Sequence, residues 1–499
     1  MFYVRTVKTA SSSTAVQVIH YQNRKRIIAK HIGSAHTQEE LDSLKQTART
    51  WIDRESKQQH LFPVEKKTAS TLIPVDKMRN LGFRYTFSYE VFTKIFHLMQ
   101  LQELKNHFLL DLVLIRIVQP ASKLESLELL SELFCITHTR ADFYRNIPAF
   151  VSLKETVEKS VIAFAQKQFA FDFSIVFYDV TTLYFETFKE DEQSFRKQGF
   201  SKDNKPNQPQ IVIGLIVTRE GFPVAYEIFE GNTFEGKTFI PTICKFRDTY
   251  TVINITVVAD AAMISFTNIQ KLVENNLFYI VGARVANLKR DLIREINEKL
   301  NAVDGNSIRI ETECGLLVCD FSIKRYKKDK AEMEKQIAKA EKLLKEKEGL
   351  KRTKFLKNVG KVKQELNESL IEKTKLLLGV KGYYTNLISE TNEIIINHYH
   401  NLWHVEQAFR IAKSDLAMRP IYHFKEQTIK AHILICFLAL AVCKYMELKT
   451  GRSTKAILKL LKSVTDARIL NKLTDEEIII RSELSEEIQQ LLKTLSLSH

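Results

Sequence analysis

Residues 1–35 alternate apolar and polar positions: Phe2-Tyr3-Val4-Arg5-Thr6-Val7, then Ala15-Val16-Gln17-Val18-Ile19, then Arg26-Ile27-Ile28-Ala29. A period of two puts every other side chain on one face of a strand, so this stretch predicts a small β-meander. Thr37 and Glu40 have the S/T-x-x-E spacing of a capping box and open a predicted helix that runs to about residue 54. Residues 60–85 are less regular. From residue 88 to about 169 the pattern is helical, with Leu109, Leu112, Val113 and Arg116 on one amphipathic helix that Pro120 ends. The short helices of this region suit either a DNA-reading helix pair or a plain bundle. The period changes at Phe171. Residues 174–179 (SIVFYD) form an apolar run ending in a carboxylate. Residues 210–218, the turn Arg219-Glu220-Gly221 and residues 223–229 predict a β-hairpin. A helix at 237–247, a second apolar run ending in a carboxylate (253–260, INITVVAD), a helix at 265–274 and a strand at 277–283 follow.

The resulting order is β-β-β-α-β-α-β, a meander followed by α/β crossovers. That is the order of an RNase H-like mixed sheet, although order alone is a weak signal of fold. Residues 284–381 interrupt it with 25 Lys and Arg against 16 Asp and Glu. A strand is expected at 315–319, then a charged helix at about 328–347 whose apolar positions Met333, Ile337, Ala340 and Leu344 step 4, 3, 4. Lys351, Arg352, Lys354, Lys357, Lys361 and Lys363 then follow without an acid among them, a run that favours phosphate contacts over a merely solvated face. A strand at 382–388 returns the chain to the core, and a long helical region begins near Tyr399.

Composition narrows the function. With 499 residues and 44% hydrophobic positions the chain has material for real cores. Its net charge of +15 points to a polyanionic partner, either nucleic acid or an acidic membrane face. The longest apolar run, from Ile433 to Cys443, is bounded by His432 and Lys444 and falls short of the ~18–20 residues that a membrane span needs. It is expected to be a buried core helix. The opening MFYVRTVKTASSS carries no apolar h-region, so no signal peptide is expected. Six cysteines without a CxxC pair read as packed, reduced thiols. The chain lacks the P-loop pattern and the G-x-S-x-G elbow, which argues against ATP hydrolysis and serine-hydrolase chemistry.

The candidate chemistry lies in carboxylates. Asp179 and Asp260 each end an apolar run, and functional groups of α/β sheets gather at the carboxyl ends of strands. A single Asp there is commonly a turn or cap residue; two suggest a site for hard cations, which take oxygen ligands. A third carboxylate comes from residues 399–413. Read as one helix, they place Tyr399, Trp403, Glu406, Arg410 and Lys413 on one face and Val405, Ala408, Ile411 and Ala412 on the other. The plain alternative is a solvated helix with a Glu–Arg pair. His400 and His404 have zinc-compatible spacing but no third ligand to match.

On these residues the sequence resembles the DDE transposases of bacterial insertion sequences, in the branch with the signature Y-x2-R-x3-E-x6-K. Tyr399, Glu406 and Lys413 fall on that spacing, and Leu402 stands at the Arg position. Asp179-Val180-Thr181-Thr182-Leu183, Asp260 in VVADAAMIS, and the tract from Glu406 through Arg419-Pro420-Ile421-Tyr422-His423 also resemble the family. So do the opening FYVRTVKTASSSTAVQV and HIGSAHTQEEL, and the likeness spans nearly the whole chain.

The resemblance implies an α/β, RNase H-like (retroviral integrase-like) catalytic core with a large basic insertion. It implies that Asp179, Asp260 and Glu406 are catalytic and hold two Mg²⁺ or Mn²⁺ ions. Tyr399 and Lys413 would contact phosphates, the signature Arg's contact would be either lost at Leu402 or supplied by Arg410, and Trp403 or another ring would stack on an extruded base. Lys351, Arg352, Lys354 and Lys357 would add DNA contacts. The partners would be double-stranded DNA, both transposon ends and target, and a second copy of the chain in a synaptic complex; the place of work would be the bacterial cytoplasm, at the nucleoid. The expected layout is a β-meander plus helix at 1–60, a helical end-binding region at 61–169, the core at 170–283 and 382–450, the basic insertion at 284–381, and a helical, candidate dimerisation region at 451–499. Two other readings keep part of this: a nuclease of the same fold that cuts DNA without joining it, and a non-catalytic DNA-binding descendant.

Overall fold

Runs of β-branched and apolar residues build the centre of the molecule. In the computed structural model, which describes residues 2–9, 13–22, 25–55, 75–190, 195–346, 353–359, 363–472 and 475–497, they form a mixed eight-stranded sheet. Its strands are β1 (Ile175–Tyr184), β2 (Gln210–Val217), β3 (Pro223–Glu230), β4 (Thr256–Ala259), β5 (Phe278–Ala283), β6 (Ser307–Thr312), β7 (Gly315–Phe321) and β8 (Val380–Thr385). The spatial order is β6-β7-β8-β5-β4-β1-β2-β3. β4 pairs in parallel with both β1 and β5, whereas β1-β2-β3 is an antiparallel meander. Every residue of β2 is buried, as expected of a strand covered on both faces. This is the RNase H-like architecture that the order of elements suggested.

The sheet belongs to a unit made of residues 94–128 and 138–455. Its helices include α1 (His107–Val118), α2 (Arg140–Ser152), α3 (Lys154–Phe169), α4 (Glu235–Tyr250), α5 (Asn392–His400), α6 (Trp403–Arg410) and α7 (Glu426–Thr450). α7 is long and apolar enough to cross a membrane, yet 94% of its apolar window is buried inside the protein, against α1, α2, α3 and β3. It is the core helix that its flanking His432 and Lys444 implied. α1 differs from its amphipathic reading: every residue from Phe108 to Val118 is buried, Arg116 included.

The basic insertion does not stand apart from the sheet. β6 and β7 extend it, and β8 enters between β7 and β5. The charged helix runs Ile323–Glu346, and its stripe is not left for a distant helix. Met333 and Ala340 pack with Phe355 and Leu378, with Ile337 beside them, closing a small satellite core.

A second unit comprises residues 1–93, 129–137 and 456–499. Strands Phe2–Lys8, Thr14–Gln22 and Lys25–Ala35 form the meander, backed by helix Gln38–Glu55 through Val16, Val18, Ile32, Leu44 and Ala48. The capping box is made as its spacing indicated: Glu40 N–H donates to Thr37 Oγ1 at 3.3 Å, and Thr37 N–H to Glu40 Oε2 at 3.2 Å. Another sheet joins Met78–Arg84 to Asp466–Asn471 and Glu476–Arg481. Residues 451–499 are therefore not all helix. The charges of EEIIIR mask its alternation; the strand is held by its hairpin partner and by Arg481, which pairs with Asp466 at 2.7 Å and Glu90 at 2.7 Å.

Candidate functional site

Asp179 does not end its strand. β1 continues to Tyr184 because β2 pairs with it as far as that residue. The parallel neighbour β4 pairs only with Ile175–Tyr178, the last match being Tyr178 with Ala259. Asp179 and Asp260 are thus each the first residue past the paired segment, on adjacent parallel strands. Asp260 thus follows the end of its strand as the sequence suggested, whereas Asp179 lies within a strand that runs on to Tyr184. Asp179 is largely buried. Burial pushes its carboxyl up to about 6; Lys202 opposes the rise, the backbone N–H of Val180 donates to it, and the charges of Asp260 and Glu235 add to it.

Asp260 caps no helix with its side chain. Instead the Tyr399 hydroxyl donates to its Oδ1 at 3.0 Å, while the backbone N–H of Ala261 donates to that hydroxyl. Burial, Asp260 and Glu406 all push the Tyr399 hydroxyl up, so it stays a donor. Gly282 on β5 makes the seat: a Cβ there would stand 2.4 Å from the Tyr399 hydroxyl oxygen. Gly282→Ala is expected to cost about 1–3 kcal/mol by overpacking and to displace that hydroxyl. Thermal unfolding measures the cost, and Tyr399→Phe, which keeps the space, separates it from loss of the hydrogen bond.

The signature segment is not one straight helix. α5 stops at His400, and residues 401–402 form a tighter turn, with Leu402 N–H bonded to Tyr399 O at 3.1 Å and Val405 N–H to Leu402 O at 3.1 Å. After α6 a π-type turn over Ile411–Asp415 adds a residue to the ring, with Leu416 N–H on Ile411 O at 3.0 Å. The five residues expected on one face are therefore divided. Glu406, Arg410 and Lys413 line an open cleft of about 300 Å³ together with Asp179, Lys202 and Arg419. Tyr399 hydrogen-bonds Asp260. Trp403 is 51% exposed, its ring centroid 3.9 Å from that of His404. Leu402, at the position of the signature Arg, is buried among apolar neighbours.

The cations of the cleft are not alike. Lys413 and Arg419 both pair with Asp203, at 3.1 and 3.4 Å. Burial lowers the Lys413 ammonium and Asp203 raises it. Lys202 pairs with Glu235 at 2.8 Å and donates to Val180 O at 2.6 Å. Arg410 is exposed and makes no ion pair among the described residues, and the same holds for Glu406. A further cation, Lys381 on β8, has its Nζ 4.5 Å from the Tyr399 ring centroid. Burial and Arg325 lower it, while Asp320, Asp260 and Glu406 raise it. Lys202, Asp203, Glu235 and Lys381 escaped sequence reasoning; nothing in their local pattern marks them. Of the insertion lysines, Lys354 and Lys357 are exposed and neither lines the cleft, while Lys351 and Arg352 lie outside the described residues.

The donor set is all carboxylate, which suits hard divalent ions, and a cation would relieve the cost of the buried Asp179 charge. No group of three or more His, Cys, Asp or Glu close enough to hold a metal occurs among the described residues. Asp179 and Asp260 follow the paired segments of adjacent parallel strands, and Glu406, exposed and without an ion pair among the described residues, lines the cleft with Asp179.

No curated protein matches the chain. Among solved structures it is similar to piggyBac transposase in a cryo-EM synaptic complex with hairpin DNA, at 12% identity and a TM-score of 0.38, covering 70% of this chain and 68% of that one. Residues 170–442, more than half of the chain and inclusive of Asp179, Asp260 and Glu406, match the family model described as "Transposase DDE domain", and the protein belongs to that family.

Proposed function

We propose that the protein is an insertion-sequence transposase that cuts the ends of its element and joins them to target DNA. The observation that carries this reading is the placement of Asp179 and Asp260 directly after the paired segments of adjacent parallel strands, with Glu406 and several cations lining one cleft with Asp179. Asp179, Asp260 and Glu406 are the catalytic acids and the ligands for two Mg²⁺ or Mn²⁺ ions. When bound, such ions polarise the attacking oxygen and stabilise the leaving one during in-line displacement at phosphorus. The chain's own groups do the rest. Tyr399 holds Asp260 through a hydrogen bond to Oδ1, leaving Oδ2 for a cation. Arg410, the unpaired guanidinium one turn beyond Glu406, takes the phosphate contact that Leu402 cannot make. Lys413 and Arg419 exchange Asp203 for a strand phosphate as DNA enters. The basic insertion supplies further backbone contacts, and two copies hold two ends.

The test is an incubation of the full chain with labelled element ends, a target plasmid and Mg²⁺. Nicked ends followed by joined products are expected. Cleavage without joining would favour the nuclease reading, and binding without cleavage at any divalent ion concentration would overturn the catalytic one.

A further inference from the structure

A second cationic site lies on the helical side of the sheet, away from the carboxylates. Arg116 on α1 is 3% exposed, and Lys123, at the start of helix Lys123–Phe134, is 6% exposed. Neither side chain makes a hydrogen bond or ion pair among the described residues, and the buried Nε of Arg116 has no partner among them. His432 on α7 is 5% exposed, and its ring lies 5.4 Å from that of His423. The nearest acid on α1, Asp111, is already held by His138 Nε2 at 2.8 Å.

This arrangement is physically incomplete. A guanidinium cannot shed its proton in a protein, so Arg116 is a true buried charge. Buried charges persist when they are paired and hydrogen-bonded. Here the neighbours add to the imbalance: Lys123, His423 and His432 are each lowered first by burial and then by one another or by Arg116, and no carboxylate acts on any of them. Arg116, Lys123 and His423 thus bring donors from separate elements together with no side-chain acceptor among the described residues, whereas His432 Nε2 already meets Met418 O.

We propose that Arg116, Lys123 and His423 form a binding site for a phosphate group. A tetrahedral oxyanion supplies several acceptors at once, matching the planar fork of Arg and the point charge of Lys. His423, half-buried between the exposed Tyr422 and Phe424, is the entrance. His432 Nε2 meets Met418 O at 3.0 Å, and the next residue, Arg419, lines the carboxylate cleft. The segment between Leu416 and Lys425 thus has the phosphate site on one side and the cleft on the other. The phosphate comes either from a DNA backbone or from solution.

The test uses the full chain and reads binding, so it does not depend on the assignment of the catalytic acids. Inorganic phosphate is titrated at constant ionic strength while the thermal midpoint is followed. Affinity for a short duplex is measured separately in phosphate-free buffer. A saturable rise in midpoint that Lys123→Met abolishes, and that His423→Gln at the entrance weakens about tenfold or more, assigns the site to free phosphate. If only duplex binding responds, with Lys123→Met lowering the salt slope by about one, the phosphate is that of DNA. Both variants matching the parent in both assays would overturn the proposal. Loss of the fold in Lys123→Met alone leaves His423→Gln, whose unchanged binding would overturn it equally.

Discussion

Replacing any one of Asp179, Asp260 and Glu406 by its amide is expected to reduce divalent-ion-dependent DNA cleavage by about a thousandfold or more. Each amide keeps the shape and removes a charge that a hard cation requires, and metal stabilisation of such a transition state is worth several kcal/mol at about 1.4 kcal/mol per tenfold. Binding of duplex ends should change little, because the cations that meet phosphate, Arg410, Lys413 and Arg419, are untouched. Two of them, Lys413 and Arg419, are paired with Asp203. Single-turnover cleavage and a gel-shift titration on the same preparations measure the two quantities. An amide variant that cuts at the parental rate would remove that residue from the site.

The second expectation has the opposite sign and is read without any metal. The folded-state pKa of Asp179 lies at about 6 against an ordinary 3.8, chiefly because burial disfavours its charge. The protonated carboxyl therefore favours the fold. That contribution is complete below the unfolded value and is lost as pH rises from 3.8 through about 6. Above it the ionised carboxylate costs the fold up to ~3 kcal/mol, an upper bound because part of the side chain faces the cleft. Asp179→Asn should consequently stabilise the chelator-treated protein at neutral pH, and the gain should vanish near the ordinary carboxylate pKa. Denaturant unfolding at a series of pH values measures it. The native side chain trades stability for a charge that a cation can use, so divalent-ion affinity of the parent should weaken as pH falls through about 6. An Asn variant less stable than the parent at neutral pH would mean that the carboxylate is already compensated.

Local signals in the sequence survived folding well. The Thr37–Glu40 spacing becomes a capping box, the alternation of the first 35 residues becomes the meander, and SIVFYD and VVAD become the neighbouring parallel strands. What was not legible depends on partners distant in the chain. β1 runs past Asp179 because β2 is there to pair with it. EEIIIR becomes a strand only beside its hairpin partner. The turn at 401–402 carries no Gly or Pro to announce it, so helical spacing carried Tyr399 onto the face of Glu406, when it stands beside Asp260 instead. Lys381 and Asp203 act on residues about 20 to more than 200 positions away, and no periodicity within a helix or strand could bring them forward.

The most direct test of the central assignment is anomalous diffraction from crystals of the protein with an element end and Mn²⁺, where the metal peaks locate the ions without reference to activity. Two peaks at the carboxylates of Asp179, Asp260 and Glu406 are expected, and both should disappear in Asp179→Asn. Manganese sites elsewhere, or peaks that persist unchanged in that variant, would contradict it.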